Sequence, residues 1–356
     1  MTEKHFANII FLIKQSRDNA IKAVNVELVN LYWNVGAYIN KQLSESNWGE
    51  KTVDELADYI QKSHPELKGF NRRGLYRMKQ FYEIYSSDSI VSPVMTQLQV
   101  TENQLNKIVS LSMTQLEISD IRTTILAQVS WTHHLTLIGR TKTSTEREFY
   151  LKLTIKENYS VKELDRQINS GLFERTMLGN KKTSPQLNNL HPEITNAFKD
   201  TYVFEFLNLP EPHTESDLQK GLIKQMKNFI LELGKDFLYI GEEFKVQVGK
   251  SDFFIDLVFY HRGLQCLVAF ELKTDKFKPE QLGQLNFYLE ALDRDVKKQH
   301  ENPSIGILLC KDKDSEVVEY AMSRSLSPTM VAEYKTQLPD KKILQQKLHE
   351  LFEDND

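Results

Sequence analysis

The sequence predicts an α + α/β protein with two domains, a mostly helical N-terminal domain and an α/β C-terminal domain whose mixed sheet is flanked by helices. Helical start and stop signals dominate up to about residue 175. Residues 176–192 then concentrate Gly, Asn, Ser and Pro, and short apolar runs of strand length follow them. With 356 residues, 40% of them hydrophobic, the chain is long enough for two cores. We therefore expect domains at 1–178 and 179–356.

The helices of the first half are predicted from capping signals. Two segments begin with the spacing of a capping box and end at a proline or a glycine: Thr52 with Glu55 before Pro65, and Ser160 with Glu163 before Gly171. Residues 86–101 are rich in Ser and Thr and contain a proline, so we expect a long loop inside this half.

The second half begins with one long helix, predicted over residues 215–233 with Thr214 as N-cap and Gly234 as its stop. Strand candidates, a crossover helix and a further strand follow. Their predicted ranges are 237–240, 243–248, 252–260 and 265–273 for the strands, Pro279 to about Leu292 for the helix, and 304–310 for the last strand.

Composition and motifs narrow the class of protein. The apolar run at residues 6–13 is too short for a membrane span and lacks a cleavage site, so we expect a cytoplasmic protein without membrane association. Cys266 and Cys310 lie in apolar runs without metal-ligand spacing and are predicted to be reduced core residues. The net charge of -4 argues against indiscriminate coating of polyanions but leaves room for local basic patches. No P-loop, GxGxxG or GxSxG motif is present.

Three charges interrupt the apolar strands at residues 253–273. Glu271 and Lys273 are two apart on one strand, so their side chains leave the same face. A two-residue type II′ turn at Gly263-Leu264 would place Asp256 directly opposite Glu271. A turn at Arg262-Gly263 would shift the register but keep all three on one face, and a three-residue loop would separate them.

Paired carboxylates and a lysine indicate a cation site. Two carboxylates at this spacing repel each other, a divalent cation relieves the repulsion, and Mg²⁺ prefers carboxylate, water and phosphate oxygens. Lys273 is suited to orienting a water or stabilising charge on a phosphate. The alternative is a structural cluster in which Lys273 pairs with one acid.

These residues carry a resemblance to a known family. The pattern of Asp256, Glu271 and Lys273 across a strand hairpin resembles the PD-(D/E)XK nuclease superfamily, and Gln284 with Tyr288 is similar to the Gln-xxx-Tyr element of its RecB-like branch. The phrase IDLVFYHRGLQCLVAFELKTDKFKPEQLGQLNFYLEALD closely resembles the YhcG-like bacterial family. The likeness continues at NPSIGILLC, LYWNVGAYI, SNWGEKTVDELADYI, GFNRRGLYRMKQFYEIY and SWTHHLTLI, and so covers most of the chain.

The resemblance implies a restriction-endonuclease-like core and a role for each matching residue. Asp256 and Glu271 would bind Mg²⁺ or Mn²⁺ with help from the Leu272 carbonyl, and Lys273 would serve the attacking water. Gln284 and Tyr288 would steady the site or touch a backbone phosphate, the alternative being the polar edge of an amphipathic helix.

One position departs from the superfamily pattern. Where the superfamily often has an acid in the helix before the strands, this sequence has Gln219. Glu215 lies one turn earlier on the same face and is a candidate substitute for the acid. The departure leaves open whether one or two metals bind.

A second candidate site is the basic helix predicted at residues 71–85. It has Asn71 as N-cap, follows a helix at 53–63 through a turn of about eight residues, and resembles a helix-turn-helix in plan. Its cations beside Tyr76 suit phosphate contact and base stacking: Arg72, Arg73, Arg77 and Lys79. The alternative is a solvated basic face. The family's N-terminal domain looks like a winged-helix DNA-binding unit.

The expectation is therefore a Mg²⁺-dependent nuclease that hydrolyses phosphodiester bonds of nucleic acid. DNA is the expected partner, and the sequence leaves DNA against RNA open. The alternative is a nucleic-acid-binding or adaptor protein whose nuclease-like core has lost turnover. The sequence leaves open whether the chain forms a homo-oligomer.

Overall fold

The structure is a computed structural model that describes residues 2–45, 48–86, 121–179, 183–190 and 197–353. The chain divides into two compact units, residues 1–168 and residues 169–356. Apart from Ser86, the loop predicted at 86–101 lies outside the described residues.

The first unit is helical, and its described residues contain no strand. Its helices are α1 (Thr2–Ser44), α2 (Glu50–Ser63), α3 (Arg72–Ser86), α4 (Trp131–Arg140), α5 (Ser144–Glu157) and α6 (Val161–Asn169, which ends at the boundary), with a 3₁₀ turn at Ile125–Gln128. The connection from α2 to α3 has the predicted length. A winged-helix arrangement stays a prediction.

Close contact between α1 and α3 sets the core of this unit. A Cβ atom on Gly36 of α1 would overlap the Met78 carbonyl of α3, so only glycine permits the approach. Ile39, Leu75 and Met78 are each about 99% buried around this crossing.

One predicted cap of the first half is confirmed and one is wrong. The Glu163 N–H donates to Ser160 Oγ at 3.2 Å, as expected at the start of α6. Thr52 does not cap α2, because the helix already begins at Glu50 with Gly49 as N-cap and the Thr52 N–H bonds to the Gly49 carbonyl. Glycine is an acceptable N-cap residue, so the helix extends through the predicted cap.

The second unit is built on a six-stranded mixed sheet. Its strands are β1 (Thr201–Val203), β2 (Phe237–Val248), β3 (Ser251–His261), β4 (Cys266–Leu272), β5 (Ile305–Cys310) and β6 (Thr329–Lys335), in the spatial order β1-β6-β5-β4-β3-β2. Its helices are α7 (Leu172–Leu178), α8 (Pro185–Leu190), α9 (Glu215–Lys224), α10 (Met226–Leu233), α11 (Gln281–Ala291), α12 (Ser315–Met322) and α13 (Lys341–Glu353). Further turns lie at Glu205–Leu207 (3₁₀) and Leu292–Val296 (π-helical). The α + α/β class predicted from the sequence is confirmed.

Apolar clusters cover both faces of this sheet. One face packs on α9 and α10 through residues such as Leu218 and Phe229, and the other packs on α11 and α12 through Leu285 and Val318. Strand β4 lies inside the sheet between β3 and β5, and all seven of its residues are buried. A charged side chain on β4 therefore has to find its partners within the fold.

The structure corrects three details of the second half. The predicted helix 215–233 is two helices, because Gln225, at φ -108° and ψ 30°, leaves helical geometry between α9 and α10. The strand candidates 237–240 and 243–248 are one strand with a bulge between Tyr239 and Gly241. Strands β1 and β6 were not predicted. Thr214 is the expected N-cap and forms a full capping box with Asp217.

Residues 169–178, which precede the predicted boundary, belong to the second unit because they contact its strands and helices. Arg175 on α7 donates to the Thr201 carbonyl at 2.7 Å and lies 3.7 Å from the buried Glu232 carboxylate. Gln345 on α13 donates to Glu174 at 2.9 Å. The boundary between residues 178 and 179 stays a prediction of domain extent.

Both cysteines are buried and free of disulfides, as predicted, and burial raises the pKa of each thiol to about 12. In the described parts of the chain, no helix combines the length and the apolar content that crossing a membrane requires.

Candidate active site

The β3–β4 hairpin sets the register on which the candidate site depends. Leu257 pairs with Phe270 and His261 with Cys266, so residue numbers of opposing pairs sum to 527 and Asp256 faces Glu271. This is the register of the Gly263-Leu264 alternative, but neither of the two-residue turns nor the three-residue loop that the sequence left open is found. Four residues separate the paired ends, and the left-handed residue among them is Gln265 at φ 51°, rather than Gly263.

Asp256 is anchored at the end of β4 by a main-chain contact. The Lys273 N–H donates to Leu309 on β5, so the preceding N–H, of Leu272, points the other way, towards β3. Asp256 Oδ2 accepts that N–H at 2.7 Å. Burial raises the pKa of Asp256, while the Leu272 bond and the Lys273 charge oppose the rise. One carboxylate oxygen is thus held by the backbone.

Glu271 is the most deeply buried charge of the site, with 2% of the residue exposed. Burial, followed by the charge of Asp256, raises its pKa to about 7. Its Oε2 atom is buried and has no hydrogen-bond partner among the described residues. Leaving such an atom unpaired costs free energy, and a hydrogen-bond donor or a cation at Oε2 would offset that cost.

Lys273 joins two acids. Its Nζ lies 3.0 Å from Glu271 Oε1 and 3.3 Å from Glu215 Oε2. Burial alone would lower the pKa of Lys273, but the hydrogen bond and charge of Glu271, followed by those of Glu215, keep it above the ordinary value. The ammonium therefore stays charged at neutral pH. This pairing is the one expected of a structural cluster, but it compensates only one oxygen of Glu271.

Helix α9 brings Glu215 and Gln219 to the site. Glu215, the first residue of the helix, reaches Lys273 with a side chain that is 48% exposed. Gln219, one turn later, is buried and donates from Nε2 to the backbone carbonyl of Asp256 at 3.0 Å. The position that departs from the superfamily pattern thus contacts the central aspartate through its main chain.

Gln284 and Tyr288 form the predicted pair on α11. Gln284 Nε2 donates to the Tyr288 hydroxyl at 2.8 Å, and Tyr288 is 4% exposed. Burial raises the pKa of Tyr288, the Gln284 bond opposes this, and the charges of Glu271 and Asp256 raise it further. The hydroxyl therefore lies within the electrostatic range of both carboxylates and stays protonated.

Sequence reasoning missed Glu243. In the β2–β3 pair, Glu242 faces Leu257 and Phe244 faces Ile255, so Glu243 falls opposite Asp256. Its φ of 42° lies in the left-handed region, which is uncommon for a glutamate and recurs at functional sites. Its charge also raises the pKa of Asp256. No pattern in the single sequence distinguishes it from the adjacent Glu242.

The oxygens present fit a hard divalent cation. Glu271 Oε2 has no partner, and the described residues give Asp256 Oδ1 no hydrogen bond. Within the same part of the chain, no group of three or more His, Cys, Asp or Glu side chains could hold a metal by itself. A cation would therefore depend on water and substrate oxygens, which is the usual mode for Mg²⁺. Participation of the Leu272 carbonyl stays a prediction.

The basic helix α3 begins as predicted. Two of its four cations form ion pairs with acidic side chains, and in the described part of the chain the other two do not. The Asn71 side chain accepts the Gly74 N–H at 2.9 Å. Arg72 pairs with Asp54 at 2.6 Å and stacks on Tyr76, and Lys79 pairs with Glu83 at 2.7 Å. Arg73 is exposed and Arg77 half-buried, and neither has an ion-pair partner among the described residues. These two guanidinium groups are the ones available to an anion.

Comparison with known proteins places both halves in described families. The family model of the YhcG PDDEXK nuclease domain matches residues 195–349, and that of the DUF1016 N-terminal domain matches residues 8–175. The chain is 30% identical over 353 residues to "putative nuclease YhcG" of Escherichia coli strain K12, covering 96% of this chain and 92% of the relative.

Two solved structures show weaker likenesses. One is the crystal structure of a repair endonuclease from Pyrococcus abyssi, with 13% identity, 37% of this chain and 50% of that chain covered, and a TM-score of 0.24. The other is the structure of an EndoMS–dsDNA2 complex, with 17% identity, coverage of 37% and 49%, and a TM-score of 0.24. The chain thus matches about half the length of each.

The relative matches over most of both chains, and the two domain models match in the same order along this chain. The chain belongs to the YhcG family, with a DUF1016 N-terminal domain followed by a YhcG PDDEXK nuclease domain.

Proposed function

We propose that the protein is a divalent-metal-dependent nuclease that hydrolyses phosphodiester bonds of DNA, with Mg²⁺ or Mn²⁺ bound by Asp256 and Glu271. The observation that carries the proposal is the unpartnered Oε2 of Glu271, a carboxylate oxygen buried beside a second carboxylate and a lysine. Keeping that oxygen unpaired costs stability, and a bound cation offsets the cost.

The protein's own groups account for the remaining steps of hydrolysis. Lys273, held by Glu271 and Glu215, places a positive charge where a phosphoryl group gains negative charge or a water is oriented for in-line attack. The hydrogen bond from Leu272 keeps Asp256 in one orientation. Gln284 and Tyr288 add a polar edge that can steady the site or contact a phosphate. A divalent cation bound here supplies charge neutralisation and Lewis-acid polarisation of a phosphoryl oxygen.

Helix α3 supports DNA as the substrate class. Arg73 and Arg77 carry charges without an ion-pair partner in the described chain, and Tyr76 lies between them in sequence. An α-helix fits the major groove of B-DNA, whereas the deep, narrow major groove of duplex RNA does not admit side chains. We assign α3 the role of contacting phosphates, with Arg72 and Lys79 as further contacts when their acidic partners exchange for phosphate.

An adaptor without turnover is the second candidate, and the observation that favours it is Gln219 in place of an acid. The two functions differ in a direct experiment. Purified protein is incubated with linear duplex, circular, branched and single-stranded DNA and with RNA, each with Mg²⁺, with Mn²⁺ and with excess chelator. The proposal predicts cation-dependent cleavage of at least one DNA substrate. Binding without cleavage of any substrate under all conditions would support the adaptor and contradict the nuclease.

A further inference from the structure

Gln219 contacts the main-chain carbonyl of Asp256 and not its carboxylate. The Gln219 residue is 9% exposed, and its Nε2 donates to the Asp256 main-chain carbonyl at 3.0 Å. Only the NH₂ group of the amide can make this bond, because the partner is an acceptor. A carboxylate at this position has no proton to donate when ionised, so the contact calls for glutamine rather than an acid.

The Asp256 carbonyl is available for this contact because Asp256 has no ladder pair with β2 or with β4. The β3–β4 pairs end at Leu257 and Phe270. In the β2–β3 ladder, the position opposite Asp256 is the left-handed Glu243, and these two residues form no ladder pair. A polar main-chain group inside a fold requires a partner, and the partner here comes from α9.

Asp256 is therefore held at two points by different elements. Leu272 on β4 fixes the carboxylate Oδ2, and Gln219 on α9 fixes the main-chain carbonyl. Binding groups lose affinity when they are free to move by even half an ångström, so support from neighbouring hydrogen bonds is part of a working site.

We infer that Gln219 is a positioning residue, which holds the main chain at Asp256 so that its carboxylate and that of Glu271 meet one divalent cation, and is not itself a cation ligand. The inference rests on the proposed function and explains the departure from the superfamily pattern. Glu215 lies on the same helix as Gln219 and contacts Lys273, so the helix still places one acidic side chain near the site.

The test measures cation affinity directly with the full chain. Mn²⁺ is titrated by calorimetry into the wild type and Gln219→Met, which keeps the unbranched length of the side chain and removes the donor. The matched control is Gln225→Met, which removes a 3.0 Å side-chain hydrogen bond with Asn228 at the end of the same helix. A second variant, Gln219→Asn, keeps the amide but is one methylene too short to reach Asp256.

The expected result is a Mn²⁺ dissociation constant about tenfold higher in both Gln219 variants and unchanged in the control. The Mg²⁺ concentration that gives half-maximal DNA cleavage should rise by the same factor, while the KM for DNA and the melting temperature without metal stay close to the control.

Each other outcome has a definite meaning. Unchanged Mn²⁺ affinity in Gln219→Met, with the wild type binding normally, would overturn the positioning role and leave the nuclease proposal standing. A wild type that binds no Mn²⁺ would overturn both. Loss of folding in both Gln219 variants, with Gln225→Met intact, would make the contact a requirement of the fold and overturn the inference.

Discussion

Asp256 Oδ2 accepts the backbone N–H of Leu272 at 2.7 Å. Leu272 is the central residue of the Glu-x-Lys pattern, so this bond fixes the aspartate of one strand between the glutamate and the lysine of the next. The N–H donor favours the ionised form of the carboxylate. A main-chain contact thus orients a group that we propose binds a cation.

Addition of Mg²⁺ or Mn²⁺ should raise the melting temperature of the wild type. A cation that binds only the folded state stabilises it by about 2.7 kcal/mol at a concentration one hundred times its dissociation constant. Thermal unfolding at increasing metal concentration measures the effect. Asp256→Ala should show little or no shift, and an equal shift in that variant would place the cation elsewhere.

The double substitution Arg73→Ala with Arg77→Ala should weaken DNA binding and reduce the slope of log affinity against log salt by about two. The reason is that each phosphate contact releases about one counterion from the DNA on binding, so losing a contact removes about one from that number. Fluorescence anisotropy at several salt concentrations measures both quantities. The control Lys152→Ala with Lys156→Ala removes two charges from α5 and should leave the slope nearly unchanged; equal effects of the two pairs would assign α3 to a solvated face.

Gly36→Ala should destabilise the first unit by about 1–3 kcal/mol, because the added methyl group overlaps the Met78 carbonyl at the α1–α3 crossing. The matched control is Gly139→Ala in α4, where the methyl group meets no atom within 4 Å. That control should be neutral or stabilising. Urea unfolding followed by tryptophan fluorescence reports this unit, because all three tryptophans of the chain, Trp33, Trp48 and Trp131, lie within it. Equal stability of the two variants would contradict the tight crossing.

The first unit should lose stability as the pH falls from about 6.5 to about 4. Burial lowers the pKa of His134 to about 4, and its Nε2 lies 2.8 Å from the Leu126 carbonyl. The unfolded chain binds the proton more tightly, so the stability is fully present above pH 6.5 and decreases until the folded form is protonated as well. The loss is about 3 kcal/mol.

The measurement for His134 is the free energy of unfolding by urea across this pH range, again by tryptophan fluorescence. His134→Gln keeps an N–H donor but does not titrate, so its pH dependence should be flatter than that of the wild type. Parallel curves for the two proteins would show that other groups cause the acid sensitivity.

The sequence predicted the hairpin that carries Asp256, Glu271 and Lys273 better than the local geometry around it. The spacing of Asp256, Glu271 and Lys273 is sufficient to align them on a hairpin. Of the alternatives that the sequence leaves open, the register of the Gly263-Leu264 turn is found, but the turn itself is not. The sequence does not indicate that Gln265 takes the left-handed conformation, because Gly263, two positions earlier, is the residue type that favours it. The break at Gln225 was missed because the apolar spacing stays in phase across it.

The contacts of Gln219 and Glu243 depend on tertiary structure alone. Gln219 meets Asp256 because α9 packs on the sheet face next to the interrupted ladder, and Glu243 falls opposite Asp256 only after the bulge near Tyr239 in β2. The short strand β1 and strand β6 pair with each other in parallel across more than a hundred residues of sequence. Pairings of this kind leave no periodic pattern in the segments that form them.

The most direct test of the catalytic assignment is the cleavage rate of labelled duplex DNA in Mg²⁺ by Asp256→Asn, measured at a DNA concentration at which wild type and variant bind equally. The substitution nearly preserves the shape of the side chain but weakens a cation ligand. We therefore predict that kcat falls by about two to three orders of magnitude, as is typical when one charge-stabilising group is lost. Lys273→Ala should lose cleavage in the same way while still binding DNA. Cleavage by Asp256→Asn at the wild-type rate would contradict the account, because a metal site that tolerates loss of its central carboxylate is not formed by Asp256 and Glu271.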